Sequence, residues 1–276
     1  MTDSSYQNWL QTSPLPRNEA RLLLQKVTGL SHAQIIAQGE ERLPEYFQAA
    51  LNALQQRRMS CEPMAYILGE KEFYGRVFAV SPAVLIPRPE TEHLLEAALS
   101  RLPEKHAARV WDLGCGSGIV AISLKLERPE LEVWASDISA AALEVAQNNA
   151  ENLGAQIEWA QGDWFACDRL PEKHSCDVLV SNPPYIEQHD HHLVQGDLRF
   201  EPQGALTDFG DGLGALRSII AGAAQFLREH GSLWLEHGFD QGAAVRELLQ
   251  AAGFREVETL RDYAGLERVS GGFRPR

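Results

Sequence analysis

The sequence predicts a doubly wound α/β sheet preceded by a small helical bundle, and three observations carry that expectation. From about residue 93 onward, short apolar runs rich in β-branched and aromatic residues alternate with stretches of helical spacing, the pattern of a mostly parallel sheet. Residues 1–68 show helical spacing only, as in Ala20, Leu23, Leu24 and Val27, and again in Tyr46, Ala49, Ala50, Ala53 and Leu54. Between the two, glycines and prolines at 60–90 interleave with Phe73, Tyr74, Val77, Phe78 and Val80, which reads as a β-hairpin. The expected organisation is therefore a helical domain at 1–68, a hairpin linker at 69–92 and an α/β domain at 93–276.

Within the α/β part, Val110-Trp111-Asp112-Leu113 reads as a strand that runs into Gly114-Cys115-Gly116-Ser117-Gly118 and then into the apolar helix Ile119-Val120-Ala121-Ile122-Ser123-Leu124. A glycine-rich turn between strand and helix lets a nucleotide-like ligand approach the backbone closely. The glycines do not follow G-x-G-x-x-G and no P-loop lysine follows them, so the loop suits a ligand without phosphate. Val133-Trp134-Ala135-Ser136-Asp137 is a second strand, ending in an acid about 20 residues beyond the loop, where a ribose-binding carboxylate belongs. Ile157-Glu158-Trp159-Ala160 is a third, ending near Asp163 and Trp164, whose carboxylate and indole suit an adenine amino group and ring face. Alone, each element is ordinary, since an Asp at a strand end commonly caps a helix. Their order gives them weight.

The buried run Asp177-Val178-Leu179-Val180 leads to Asn182-Pro183-Pro184-Tyr185 at the carboxyl end of a strand, where open α/β sheets keep their active sites. Two prolines fix φ and remove two donors, leaving carbonyls without local partners. The Asn182 carbonyl and the Pro183 carbonyl can accept both N–H groups of a planar amine or amide, with Pro184 and Tyr185 packing against the flat group. Further helices are expected at 139–152, 213–229 and 240–252, with a strand at Ser232–Leu235 and two more at Val257–Leu260 and Glu267–Phe273.

These motifs in this order resemble an S-adenosylmethionine-dependent methyltransferase acting on amino groups. Gly69-Glu70-Lys71-Glu72-Phe73-Tyr74-Gly75, Leu85-Ile86-Pro87-Arg88-Pro89-Glu90-Thr91-Glu92, Asn182-Pro183-Pro184-Tyr185-Ile186, Phe200-Glu201-Pro202 with Ala205-Leu206, Leu235-Glu236-His237-Gly238, and Arg261-Asp262-Tyr263 with Glu267-Arg268-Val269 narrow it further. They resemble the peptide chain release factor glutamine N5-methyltransferases over nearly the whole chain. The Ile-Pro-Arg-Pro-Glu-Thr-Glu stretch discriminates, because Asn-Pro-Pro-Tyr alone is shared with enzymes that methylate adenine N6 in RNA or DNA, which is the alternative reading. A non-catalytic cofactor-binding adaptor would show an altered glycine loop or a lost Asn, and neither is seen. Asp208-Phe209-Gly210-Asp211-Gly212 is a mild departure from the family pattern.

The resemblance implies a class I methyltransferase sheet closed by an antiparallel hairpin, S-adenosylmethionine as cofactor, and class I release factors as substrates through the glutamine of Gly-Gly-Gln. It implies cofactor binding by Gly114, Cys115, Gly116, Ser117, Gly118, Asp137, Asp163, Trp164 and Asn182. The acceptor amide would be held by Asn182, Pro183, Pro184 and Tyr185, with Asn182 and Pro183 catalytic.

Composition agrees. Residues 1–86 carry eight Lys/Arg and eight Asp/Glu, so the entire net charge of −13 falls on the remainder. An acidic catalytic domain repels phosphate backbones, which favours a protein substrate over nucleic acid. No apolar run approaches the roughly 18 residues of a membrane span, and Met1-Thr2-Asp3-Ser4-Ser5 lacks the basic and apolar regions of a signal peptide. Cys61, Cys115, Cys167 and Cys176 form no Cys-x-x-Cys pair, so neither a disulfide nor a zinc framework is expected and a reducing cytoplasm is. His189-Asp190-His191-His192 reads as a solvated loop rather than a metal site, Asp208-Phe209-Gly210 as a chance likeness to a kinase signature, and a monomer is expected.

Overall fold

A computed structural model describes residues 5–102 and 108–274 and divides the chain into two compact units, residues 1–69 and 70–276. The stretch Met1-Thr2-Asp3-Ser4 lies outside the described residues.

The first unit is helical: α1 (Tyr6–Thr12), α2 (Arg17–Thr28), α3 (His32–Ala37), α4 (Glu45–Met59) and α5 (Met64–Leu68). Ala20, Leu23 and Leu24 recur at helical spacing on α2 and are buried with Trp9, Ile35, Leu43 and Leu51. Gly29 ends α2 in the left-handed conformation, and a capping box of Ser31 with Gln34 starts α3. A two-pronged Arg58–Glu19 pair ties α4 to α2.

The second unit opens with the hairpin β1 (Glu70–Phe73) and β2 (Arg76–Ala79), followed by α6 (Glu92–Arg101). Then come β3 (Arg109–Leu113), α7 (Ile119–Glu127), β4 (Glu132–Asp137), α8 (Ala140–Leu153), β5 (Glu158–Asp163), β6 (Ala166–Cys167) and β7 (Cys176–Ser181). The chain ends with α9 (Gln203–Leu206), α10 (Gly214–Ala223), β8 (Leu227–Glu236), α11 (Gly242–Ala251), β9 (Arg255–Arg261) and β10 (Glu267–Phe273). The hairpin belongs to this unit, where the buried Asn149 of α8 accepts from the Ala79 amide at 2.7 Å and donates to the Ala79 and Ser117 carbonyls.

The eight-stranded sheet has the order β6-β5-β4-β3-β7-β8-β10-β9. Its five central strands are parallel, and β10 and β9 close it as an antiparallel pair. Every residue of β7 is buried, as expected of a parallel strand covered on both faces. Val178 and Val180 join the core layer that holds α6 and α7, and Leu179 joins the opposite layer with Trp111, Leu216, Ile219 and Val245. Chain order reverses at β3, which has β4 on one side and β7 on the other. A doubly wound sheet opens its ligand crevice at that point.

One expected element is corrected. The helix read over 213–229 stops at Ala223, and β8 starts at Leu227 rather than 232. Cys176 pairs with Leu227 but Val178 with Ser232, so the extra residues form a bulge in which His230 takes a positive φ of 64°. Phe226, buried against Trp111, continues the apolar pattern across the junction and hides it in the sequence.

Candidate active site

The glycine loop is shaped by what its residues cannot carry. Gly114 has φ 72°, and a Cβ there would stand 3.2 Å from the Trp164 ring. Gly118 has φ 82°, and a Cβ there would meet Ile122 at 2.9 Å and Ala146 at 3.1 Å, so only glycine lets α7 pack this closely on α8. The Gly114 and Cys115 amides donate to the Ser136 carbonyl at 2.8 and 2.9 Å. The Gly116 amide donates to Asp137 Oδ2 and the Ser139 amide to Oδ1, each at 2.9 Å. The acid expected to hold a ribose is thus seen to fix the loop, a role that its position at a strand end did not reveal.

One cavity is lined by Gly114, Cys115, Gly116 and Ser117 of this loop, though not by Gly118, which is turned to the α7–α8 contact, together with Asp112, Asp137, Asp163, Trp164, Asn182, Pro184 and the segments around Arg88, Thr91 and Ala205. Three carboxylic acids face it. Burial raises Asp112 to about 7, against the Ala121 amide that bonds it, and the charge of Asp137 adds to the rise. Burial also raises Asp137, opposed by the Ser139 and Gly116 amides. The only basic residue among the described lining residues, Arg88, is ion-paired with buried Glu201, whose other oxygen accepts from the Ile86 amide at 2.9 Å. Such a cavity disfavours phosphate and suits a cation.

At the end of β7 the Ser181 hydroxyl donates to the Leu113 carbonyl at 2.6 Å, locking this corner to the start of the glycine loop. Asn182 Nδ2 then donates to Thr91 Oγ1 at 3.1 Å, leaving the side-chain carbonyl for another partner. No hydrogen bond reaches the Pro183 carbonyl among the described residues. Pro184 lines the cavity, but Pro183 is buried and Tyr185 is not part of the lining. The Tyr185 ring packs into the core layer below, its hydroxyl donates to Glu236 Oε1 at 3.4 Å, and its carbonyl accepts from Gln241 at 2.9 Å. Anchored at both ends, Tyr185 stands behind the corner rather than against a flat guest.

Among the buried polar residues to which sequence reasoning gave no role of their own are Thr91, Asp112 and Glu236. Each sat inside a quoted motif, and the available signal was a polar residue next to an apolar run. The His loop places Asp190, His191 and His192 ligand atoms within 4.8 Å of one another. Asp190 Oδ1 there accepts from the His192 amide at 2.8 Å and meets its ring at 2.7 Å. Among the described residues no helix is long and apolar enough to cross a membrane.

A family model described as a methyltransferase small domain matches residues 92–211, and one described as the PrmC N-terminal domain matches residues 6–69. A release factor glutamine methyltransferase of Neisseria gonorrhoeae is 56% identical over 268 residues, covering 97% of each chain. The chain belongs to the release factor glutamine methyltransferase family. The family member of Escherichia coli is 44% identical over 275 residues, covering 97% of this chain and 98% of its own. These matches bear out the resemblance that the motifs carried. Among solved structures, a methyltransferase from Pyrococcus furiosus superposes with a TM-score of 0.55 over 82% of this chain and 100% of its own, at 15% identity. A 16S rRNA methyltransferase of T. thermophilus, in complex with AdoMet and guanosine, gives 0.52 over 74% and 49%, at 23%. At such identities the likeness is one of fold.

Proposed function

We propose that this chain transfers a methyl group from S-adenosylmethionine to the side-chain amide nitrogen of the glutamine in the Gly-Gly-Gln motif of class I release factors. The observation that carries this reading is the Asn182 amide, held through its NH2 group by Thr91 so that its carbonyl is free beside an acidic cavity. When bound, the cofactor supplies an electrophilic methyl on a sulfonium cation. Backbone groups of Gly114, Cys115, Gly116, Ser117 and Gly118 would hold its body, Asp137 the ribose hydroxyls, Asp163 and Trp164 the adenine, with Asn182 also bordering it. The acids lining the cavity favour the cation over a phosphorylated nucleotide.

An amide nitrogen is a poor nucleophile because its lone pair is delocalised into the carbonyl. The Asn182 and Pro183 carbonyls accept its two N–H groups, orient the lone pair toward the methyl carbon and stabilise positive charge developing on nitrogen. The N–C bond forms as the S–C bond breaks, and the proton leaves the alkylated nitrogen for water afterwards. No general base is required before the transfer. Pro184 limits rotation of the amide plane.

Residues 1–68 serve as the docking domain for the folded substrate, consistent with their near-neutral charge beside an acidic catalytic domain. A cytoplasmic monomer without direct nucleic-acid binding completes the reading. Mass spectrometry of a release-factor digest, after incubation with enzyme and cofactor, should find one added methyl on the Gly-Gly-Gln glutamine. Methyl incorporation into RNA or DNA above the protein signal would favour the adenine-N6 alternative.

A further inference from the structure

Thr91 occupies the N-cap position of α6, where a hydroxyl ordinarily accepts a bond from the first helical turn. It makes no such bond. Its oxygen instead accepts from Asn182 Nδ2 at 3.1 Å, although it is only 1% exposed. Glu236, also 1% exposed, is the last residue of β8, and Thr91 is among the groups that act on its carboxylate. Ser181 of β7 pairs in register with Leu235 of β8, which brings Asn182, just beyond the end of β7, beside Glu236, the last residue of β8. Glu236 does not line the cavity, whereas Thr91 and Asn182 do. Its Oε1 takes the long bond from the Tyr185 hydroxyl, and its Oε2 is buried with no partner. A buried carboxylate oxygen without a donor demands one strongly.

We propose that Glu236 is a positioning residue for methyl transfer, acting through Thr91 to hold the Asn182 side chain with its carbonyl facing the acceptor amide. This rests on the function proposed above. An Asn side chain can sit in either of two orientations related by a flip of its amide. Thr91 has one hydroxyl proton. When that proton turns to the unpartnered Glu236 Oε2, Thr91 can only accept toward Asn182, so the NH2 group must point at Thr91 and the carbonyl at the cavity. Without the carboxylate, Thr91 is free to donate to the Asn182 carbonyl, the amide can flip, and an NH2 group faces the substrate, where it repels the donors it should receive. Burial raises Glu236 to about 7, and Thr91, Arg268 and Tyr185 oppose that rise by favouring its charged form, while Glu90 adds to it. The relay thus joins three segments of the chain that the sequence keeps far apart.

The test uses the full-length chain with intact release factor and measures kcat, KM and cofactor affinity. Thr91→Val removes the hydroxyl at nearly constant shape and should lower kcat by roughly 10-fold or more, with cofactor affinity within about 3-fold. Thr91→Ser, which keeps the hydroxyl, should recover most of the loss. Glu236→Met should lower kcat to a similar extent, and the double variant should cost little more than either single one, because two links of one relay are not additive. A Thr91→Val enzyme with wild-type kcat overturns the relay, as does a cofactor affinity that falls in step with kcat, or additive losses in the double variant. If Glu236→Met does not fold, the comparison of Thr91→Val with Thr91→Ser decides alone. A wild-type chain that leaves release factor unmethylated is a separate result and overturns the proposed function instead.

Discussion

Asp137 accepts the Gly116 amide at 2.9 Å across 21 residues of sequence, so the end of β4 and the glycine loop after β3 are one structural unit. Replacing Asp137 by Ala should weaken cofactor binding by about 1–3 kcal/mol, since a charged acceptor for a hydroxyl pair is lost. The same change frees Gly116 and should lower the melting temperature of the cofactor-free protein. Calorimetry and thermal denaturation check the two effects separately, and unchanged affinity would place the ribose elsewhere.

Asn182→Ala removes the acceptor proposed to act on the reacting amide. It should reduce kcat by roughly 100-fold or more while cofactor affinity stays within a few-fold. Single-turnover methylation of release factor measures it, and near-normal turnover would take Asn182 out of the mechanism.

Gly118→Ala places a methyl group between α7 and α8 at a backbone angle that L-residues avoid, with Ala146 only 3.1 Å away. Strain and overpacking should together cost about 1–3 kcal/mol of stability, read from chemical denaturation. An unchanged midpoint would mean that the helices part without penalty.

Stability should depend on pH through Asp112, whose carboxyl is raised to about 7 by burial. The ordinary value in an unfolded chain is about 4. Between these values the folded state holds a proton that the unfolded chain has released, so this group makes stability fall as pH rises from about 4 to 7, with no further change above. His237, lowered by burial, works in the opposite sense below its ordinary value, so the comparison must be between variants. In the cofactor-free protein, Asp112→Asn should gain stability relative to wild type progressively from pH 4 to 7 and then level off. A difference that is flat across this range would show that Asp112 titrates normally.

A short peptide containing Gly-Gly-Gln should be methylated with kcat/KM at least roughly tenfold below that of intact release factor, because remote contacts contribute to transition-state binding. Steady-state kinetics on both substrates check it. Equal efficiencies would remove the docking role of residues 1–68.

Most of the architecture was legible because its elements announce themselves locally. The apolar runs at β3, β4 and β7 and the positive-φ glycines of the loop are dictated by neighbours in sequence, and Asp137 and Asp163 fall at strand ends where periodicity places them. What was not legible depends on pairing across the sheet. The early start of β8 exists because Leu227 finds Cys176, and no local pattern marks where α10 stops. Tyr185 was expected against the substrate, but its ring is drawn to buried Glu236 at the end of a strand 51 residues away. Thr91 shows the same limit: sequence reasoning assigns it no role of its own, and only the fold makes it a partner for Asn182 across 91 residues.

The reversal of chain order at β3 separates two kinds of information. In the function proposed above, the groups that would face the methyl donor follow β3, β4 and β5 on one side of the crevice, and the corner that would face the acceptor follows β7 on the other. Evolution can therefore rewrite what is methylated by editing one strand end and the segments that brace it, leaving the methyl supply intact. On that reading, such a division makes the scaffold a socket with interchangeable fittings.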